Sequence, residues 1–156
     1  MLRFEVRPAC KLDFPGIIRV MNAYADQPLT PGAFIRWEWE READPGYQRF
    51  VAVATDGTVL ATGVVRTGLG CDVEKALVQV MVAPAYAHHD IAPMLHAVLE
   101  RWAVEHGATH IAAITKCGAA VTRTKRQWTG PMPVTSLLPV WNPPAAESHP
   151  QVAAAR

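Results

Sequence analysis

The stretch from Ala76 to Thr115 constrains the fold of this chain more than any other, because it spells a strand, a helix and a second strand in immediate succession. Ala76 to Val82 is a short, almost continuously apolar run, which predicts a strand buried on both faces. Pro84 ends it. From Ile91 to His106 the residues Ile91, Met94, Leu95, Val98, Leu99, Trp102 and Ala103 recur on one helical face, with His96, Glu100, Arg101 and Glu105 opposite. Gly107 is placed to close that helix as its C′ residue, and His110 to Thr115 returns as a strand. Two strands joined by a helix of this length form a parallel β-α-β unit with a right-handed crossover. A strand that feeds a helix N-terminus is a natural phosphate site. The connecting loop nevertheless has no glycine where a backbone wrapping a pyrophosphate would use one.

The residues before this unit read as five elements and a hairpin turn. Leu2 to Val6 alternates apolar and polar residues, a strand before Pro8. Asp13 is a candidate N-cap for a helix over 15–25 that carries Ile17, Ile18, Met21, Tyr24 and Ala25. Thr30-Pro31 repeats the start signal for a second helix with Phe34, Ile35, Trp37, Glu38 and Arg41, ending near Asp44-Pro45-Gly46. Gln48 to Thr55 and Thr58 to Thr67 are strands around Asp56-Gly57, a dipeptide suited to a tight antiparallel turn. Gly68 and Gly70 mark the turn that follows. Beyond Cys117 the periodicity degrades: Thr122 to Gln127 is polar and basic, and Val134 to Trp141 can be a strand only at an edge because Pro139 lies inside it. One domain over 1–142 and a disordered Ala/Pro-rich tail over 143–156 are expected.

Composition limits the partners. A net charge of +1 on 156 residues gives no electrostatic reason to expect nucleic acid or an anionic membrane. No run approaches the roughly 18 apolar residues of a membrane span, and charges interrupt the first seven positions too often for a signal peptide. Cys10, Cys71 and Cys117 are far apart and lack metal-ligand spacing, so a reduced cytoplasmic setting without a disulfide framework is expected. His88-His89-Asp90 is no metal site by pattern either, since adjacent loop residues seldom converge on one ion.

The order of elements, with Val80-Met81-Val82-Ala83-Pro84-Ala85-Tyr86 feeding a helix at Ile91-Ala92 and Leu95, resembles the GNAT superfamily of acyl-CoA-dependent N-acyltransferases. The resemblance spans roughly Arg3 to Thr115. It implies an α/β (α+β) fold with a mixed, mostly antiparallel central sheet flanked by helices around a β-α-β core. It further implies that Val80, Met81 and Val82 line the pantetheine arm of acetyl-CoA. The backbone N–H groups of Ala87, His88, His89, Asp90, Ile91 and Ala92 would then hold its pyrophosphate. Against the family's Arg/Gln-x-x-Gly-x-Gly/Ala loop, Ala87 stands where Arg or Gln is usual and Asp90 where the first Gly is usual, while Ala92 fits the last position. Asp90 adds a Cβ and a negative charge close to an anionic diphosphate, whereas His88 and His89 can donate to it. The other reading makes Asp90 the helix N-cap and the two histidines solvated loop residues.

Acyl transfer to an amine needs a neutral amine, a path for its proton and polarisation of the thioester carbonyl. Glu74, at the start of the strand leading to the loop, is the candidate base, with Asp72 behind it. Glu38 and Glu42 could line an acceptor cleft or belong to a polar helix face. Trp37 and Trp39, two apart, cannot share a helix face, so one of them should reach a surface or cleft. The family often places a tyrosine after the last strand of the β-α-β unit to protonate the leaving thiolate. No tyrosine follows Tyr86, and Tyr24 and Tyr47 precede the unit in chain order. Cys117 reads as a structural thiol. The expected activity is acetyl transfer to an amine of a small molecule or peptide. The alternative is a GNAT-fold binding or interaction module without catalysis. A homodimer completed by an edge strand over 134–141 is a third expectation.

Overall fold

A computed structural model describes residues 1–68, 74–129 and 132–138, with 126–129 and 132–138 given by their backbone course. Gly70, Cys71, Asp72, Pro139 to Trp141 and the 143–156 tail lie outside the described residues. The chain runs β1 (Phe4–Pro8), α1 (Phe14–Asn22), α2 (Pro31–Glu42), β2 (Tyr47–Ala54), β3 (Val59–Thr67), β4 (Lys75–Val82), α3 (Ile91–Glu105), β5 (His110–Cys117), β6 (Ala120–Thr129) and β7 (Met132–Leu138). Short 3-10 turns at Lys11–Asp13 and Pro84–Tyr86 precede α1 and α3.

The seven strands form one sheet in chain order, and every neighbour pair is antiparallel except β4 and β5. That exception is the expected β-α-β unit. Its strands stay in parallel register from Lys75 opposite His110 to Val82 opposite Cys117. The β2–β3 hairpin turns at Gly57 with φ +87°, and Asp56 Oδ1 accepts the Thr58 N–H at 2.9 Å, as the Asp-Gly dipeptide predicts.

The helices cover the two faces of this sheet separately. On one face α3 buries Ile91, Leu95, Leu99 and Ala103 against Ala61, Val65, Val78 and Val80. Each fully buried aliphatic side chain is worth about 1.5–3 kcal/mol, so this layer is the main cohesion of the fold. Gly63 permits its close approach, because a Cβ there would stand 2.5 Å from Leu99 Cδ1. On the other face α1 and α2 bury Ile17, Ile18, Val20 and Phe34 against Val51, Val53 and Val59. Thr30 caps α2 by accepting the Ala33 N–H at 3.2 Å.

Four sequence expectations change. Asp13 does not cap α1; buried, it takes a bidentate pair from Arg7 at 2.7 and 2.9 Å and the Cys10 N–H at 2.8 Å, tying β1 to the 3-10 turn. In β4 only one face is wholly buried: Gln79 and Met81 point to the α1/α2 side and stay half-buried. Glu100 and His96 do not sit on a solvated face of α3. Glu100 is buried, and His96 bridges it (3.2 Å) to Thr115 Oγ1 (3.1 Å). The polar run over 122–127 is strand β6, and β7 pairs with it at the sheet edge over part of the stretch read as an edge strand. Arg123, Lys125 and Arg126 break the apolar alternation in β6, which hides the strand from a hydrophobic count.

Candidate active site

The loop from Ala83 to Asp90 is built from short turns that consume several of its own donors. Tyr86 N–H donates to Ala83, Ala87 to Pro84, His89 to Tyr86 and Ile91 to His89. Among the described residues no acceptor takes the N–H of His88 or Asp90. These two donors sit at the positive end of the 15-residue helix α3, where an anion is favoured. Ala92 lies in the first turn of α3 and packs on the core beside the buried Ile91.

Asp90 occupies the N-cap position with φ −75° and makes no side-chain capping bond. A negative φ is open to any residue, so the missing glycine creates no backbone strain here. Its carboxylate is exposed, as are His88 and His89. Ala87 has a different neighbour. Its Cβ faces Gly118 in the β5–β6 turn, where an added Cβ would lie 3.1 Å away, and its carbonyl accepts the Cys117 thiol at 3.4 Å. Gly118 has φ +60°, a conformation side chains resist. The turn thus packs against a methyl group where the family pattern has a long side chain, and Cys117 has a structural contact.

Tyr24 is the residue that chain order conceals. It lies just past the end of α1, yet its hydroxyl donates to the Val82 carbonyl at the end of β4 and accepts the Gly118 N–H at 2.9 Å. It therefore bridges the ends of the two parallel strands. Burial pushes its phenol pKa up against the opposing pull of the Gly118 N–H, so it keeps its proton through neutral pH. No local periodicity could have revealed this contact, which spans 58 residues to Val82.

Glu74 falls at the other end of β4. Eight residues separate it from Val82, roughly 26 Å of extended strand. It is exposed, and its carbonyl accepts the N–H groups of Thr109 and His110 where α3 returns to the sheet. Glu74, the expected base, therefore stands almost a full strand length from the 83–90 loop. Val80 and Val82 point into the α3 layer, whereas Met81 faces the α1/α2 side with Gln79. A cavity of about 150 Å³ lies there, lined by Gln79, Met81, Ile114, Lys116 and Arg123.

A second, more open cavity of about 340 Å³ lies between α2, β2 and the turn after β1. Glu38 and Glu42 line it, but Glu38 is already engaged. Its Oε1 accepts Arg49 Nη2 at 2.7 Å and the Tyr47 hydroxyl at 2.7 Å, while Arg49 Nη1 reaches Thr62 at 3.0 Å. A buried guanidinium with this partner is a structural tie, since losing one member strands the other charge. Of the two tryptophans, Trp37 packs near Phe34 and Trp39 is the exposed one. Among the described residues, no three His, Cys, Asp or Glu side chains converge as metal ligands. No helix among them is long and apolar enough to cross a membrane.

Comparison with known proteins agrees with this architecture. Residues 14–124 match the Acetyltransferase (GNAT) family. No curated protein matches the chain. Among solved structures, a GCN5-related N-acetyltransferase from Kribbella flavida is similar at 26% identity and TM-score 0.57, over 71% of this chain and 73% of that one. A Salmonella typhimurium protein solved with its cofactor acetyl-CoA is similar at 19% identity and TM-score 0.62, over 71% and 69%. A phosphinothricin acetyltransferase from Sinorhizobium meliloti in complex with acetyl-CoA is similar at 16% identity and TM-score 0.61, over 75% and 68%.

Proposed function

Because the chain belongs to the GNAT acetyltransferase family, we propose that it carries an acetyl group from acetyl-CoA to an amine at the junction of β4, the 83–90 loop and α3. The observation that carries this reading is the pair of unclaimed N–H donors at His88 and Asp90, set at the N-terminus of α3 directly after the end of β4. Similar folds have been solved with acetyl-CoA, which supports the choice of donor.

In the reaction the amine nitrogen adds to the thioester carbonyl carbon and the carbon–sulfur bond breaks. The nitrogen loses a proton to solvent, and the departing thiolate takes one. Tyr24 is the group we assign to that second proton. Its hydroxyl is held at the end of β4, stays protonated at neutral pH, and has the Gly118 N–H to stabilise the phenolate it would briefly become. The N–H groups of His88 and Asp90 hold phosphate, and the imidazoles of His88 and His89 add donors.

One observation favours a second reading, a binding module without catalysis. β4 and β5 remain paired to Val82 and Cys117, and Tyr24 ties their ends together, so an extended ligand arm between them would have to displace that bond. Calorimetric titration with acetyl-CoA separates the two. Micromolar binding is expected, and no heat at millimolar ligand would remove the enzyme reading. For Tyr24→Phe the expected result is a fall in kcat of about a hundredfold with acetyl-CoA affinity nearly retained. An unchanged kcat would take the proton-donor role from Tyr24.

A further inference from the structure

Resting on the acetyl-transfer reading above, we infer that the acceptor amine carries an anionic group, a carboxylate or similar oxyanion, that is held by Lys116 and Arg123. The sheet alternation puts Gln79 and Met81 of β4, Ile114 and Lys116 of β5, and Arg123 of β6 on one face, opposite α3. These side chains enclose the 150 Å³ cavity, room for a small polar head and a few attached atoms.

The charge of this cavity is of one sign. Among the described residues no carboxylate pairs with Lys116 or Arg123, and the guanidinium Nε of Arg123 is buried without any hydrogen-bond acceptor. A buried donor left in that state costs free energy until an acceptor arrives. A guanidinium and an ammonium flanking one small space form a receptor for a carboxylate or phosphonate, with the Gln79 amide able to add a bond. A cationic amine such as a polyamine would meet repulsion instead.

The spacing suits the chemistry. Lys116 pairs with Met81, one residue before the strand end where Tyr24 meets Val82. At about 3.3 Å per residue, an anion on Lys116 and Arg123 lies roughly 5–10 Å from that end. An α- or β-amino acid, or an aminoalkylphosphonate, spans such a gap between its amine and its anion.

The test compares three acceptors of matched length with acetyl-CoA: an amino acid, its carboxamide, and an aminoalkylphosphonate. Purified wild-type protein should favour at least one anionic acceptor over the carboxamide by tenfold or more in kcat/KM. Arg123→Gln should bring that ratio towards one by raising KM for the anionic acceptor about tenfold, while affinity for acetyl-CoA changes less than about threefold. Arg123→Lys, which keeps the charge, should restore part of the preference. Equal or better use of the carboxamide, no acceptor turnover although acetyl-CoA binds, or a loss confined to acetyl-CoA affinity would each overturn the inference. Failure of acetyl-CoA to bind would overturn the acetyl-transfer reading, and this inference with it.

Discussion

At the scale of single residues, position 90 shows how a departure from a motif can matter for charge and not for geometry. The pattern asks for glycine, but the backbone there has φ −75°, so a side chain is tolerated. What remains is the exposed carboxylate beside the proposed diphosphate position, with no capping bond to justify it. Replacing Asp90 with Asn keeps the shape and removes the charge. Acetyl-CoA should then bind several-fold tighter by calorimetry, at a stability loss of no more than about 1 kcal/mol from the lost helix-dipole interaction. Unchanged or weaker binding would show that the diphosphate is not held at this loop. Gly118 is the opposite case, a glycine demanded by φ +60° and by the nearness of Ala87, in a turn that no motif had marked.

At the scale of elements, two polar ties fix where the strands and helices meet. The Arg7–Asp13 pair joins β1 to the turn before α1, and the Arg7 hydrogen bonds hold the Asp13 carboxyl below its ordinary pKa against the effect of burial. A carboxyl depressed in the folded state contributes stability that is complete above its unfolded pKa and lost as pH falls through the folded value. Asp13→Asn should therefore lower stability by about 1–3 kcal/mol at pH 7. Urea unfolding of variant and wild type should converge as pH drops below the usual carboxylate range; a gap independent of pH would mean that packing, and not charge, dominates. The Glu38–Arg49 tie secures α2 to β2 in the same manner and explains why a carboxylate that looked available for an acceptor is occupied.

At the scale of the whole molecule, the sheet order equals the chain order, so each strand pairs with the strand next to it in sequence and hairpins build most of the sheet. The one parallel pair is where the proposed chemistry sits. Ligand binding there should stabilise the entire fold by mass action. Acetyl-CoA at a hundred times its dissociation constant adds about 2.7 kcal/mol, which for a domain of this size raises Tm by roughly 5–10 °C. Differential scanning fluorimetry reads this directly, and a flat Tm across a hundredfold range of ligand would contradict acetyl-CoA binding to the folded state.

The elements from β1 to β5 and the β-α-β unit are legible in the chain alone, because hydrophobic period, capping residues and turn dipeptides are local signals carried within a few positions. So are the loop and α3 N-terminus, since a proline break followed by a helical stripe is local too. β6 is not, because Arg123 and Lys125 break the apolar alternation on which a strand is recognised. Which polar side chains meet is visible only in three dimensions: Tyr24 at the end of β4, Lys116 beside Arg123, Glu100 buried under His96, and Glu74 almost a full strand length from the loop. Those contacts join residues far apart in the chain. Their geometry is set by sheet register and helix packing, and nothing in the spacing of the residues along the sequence encodes it.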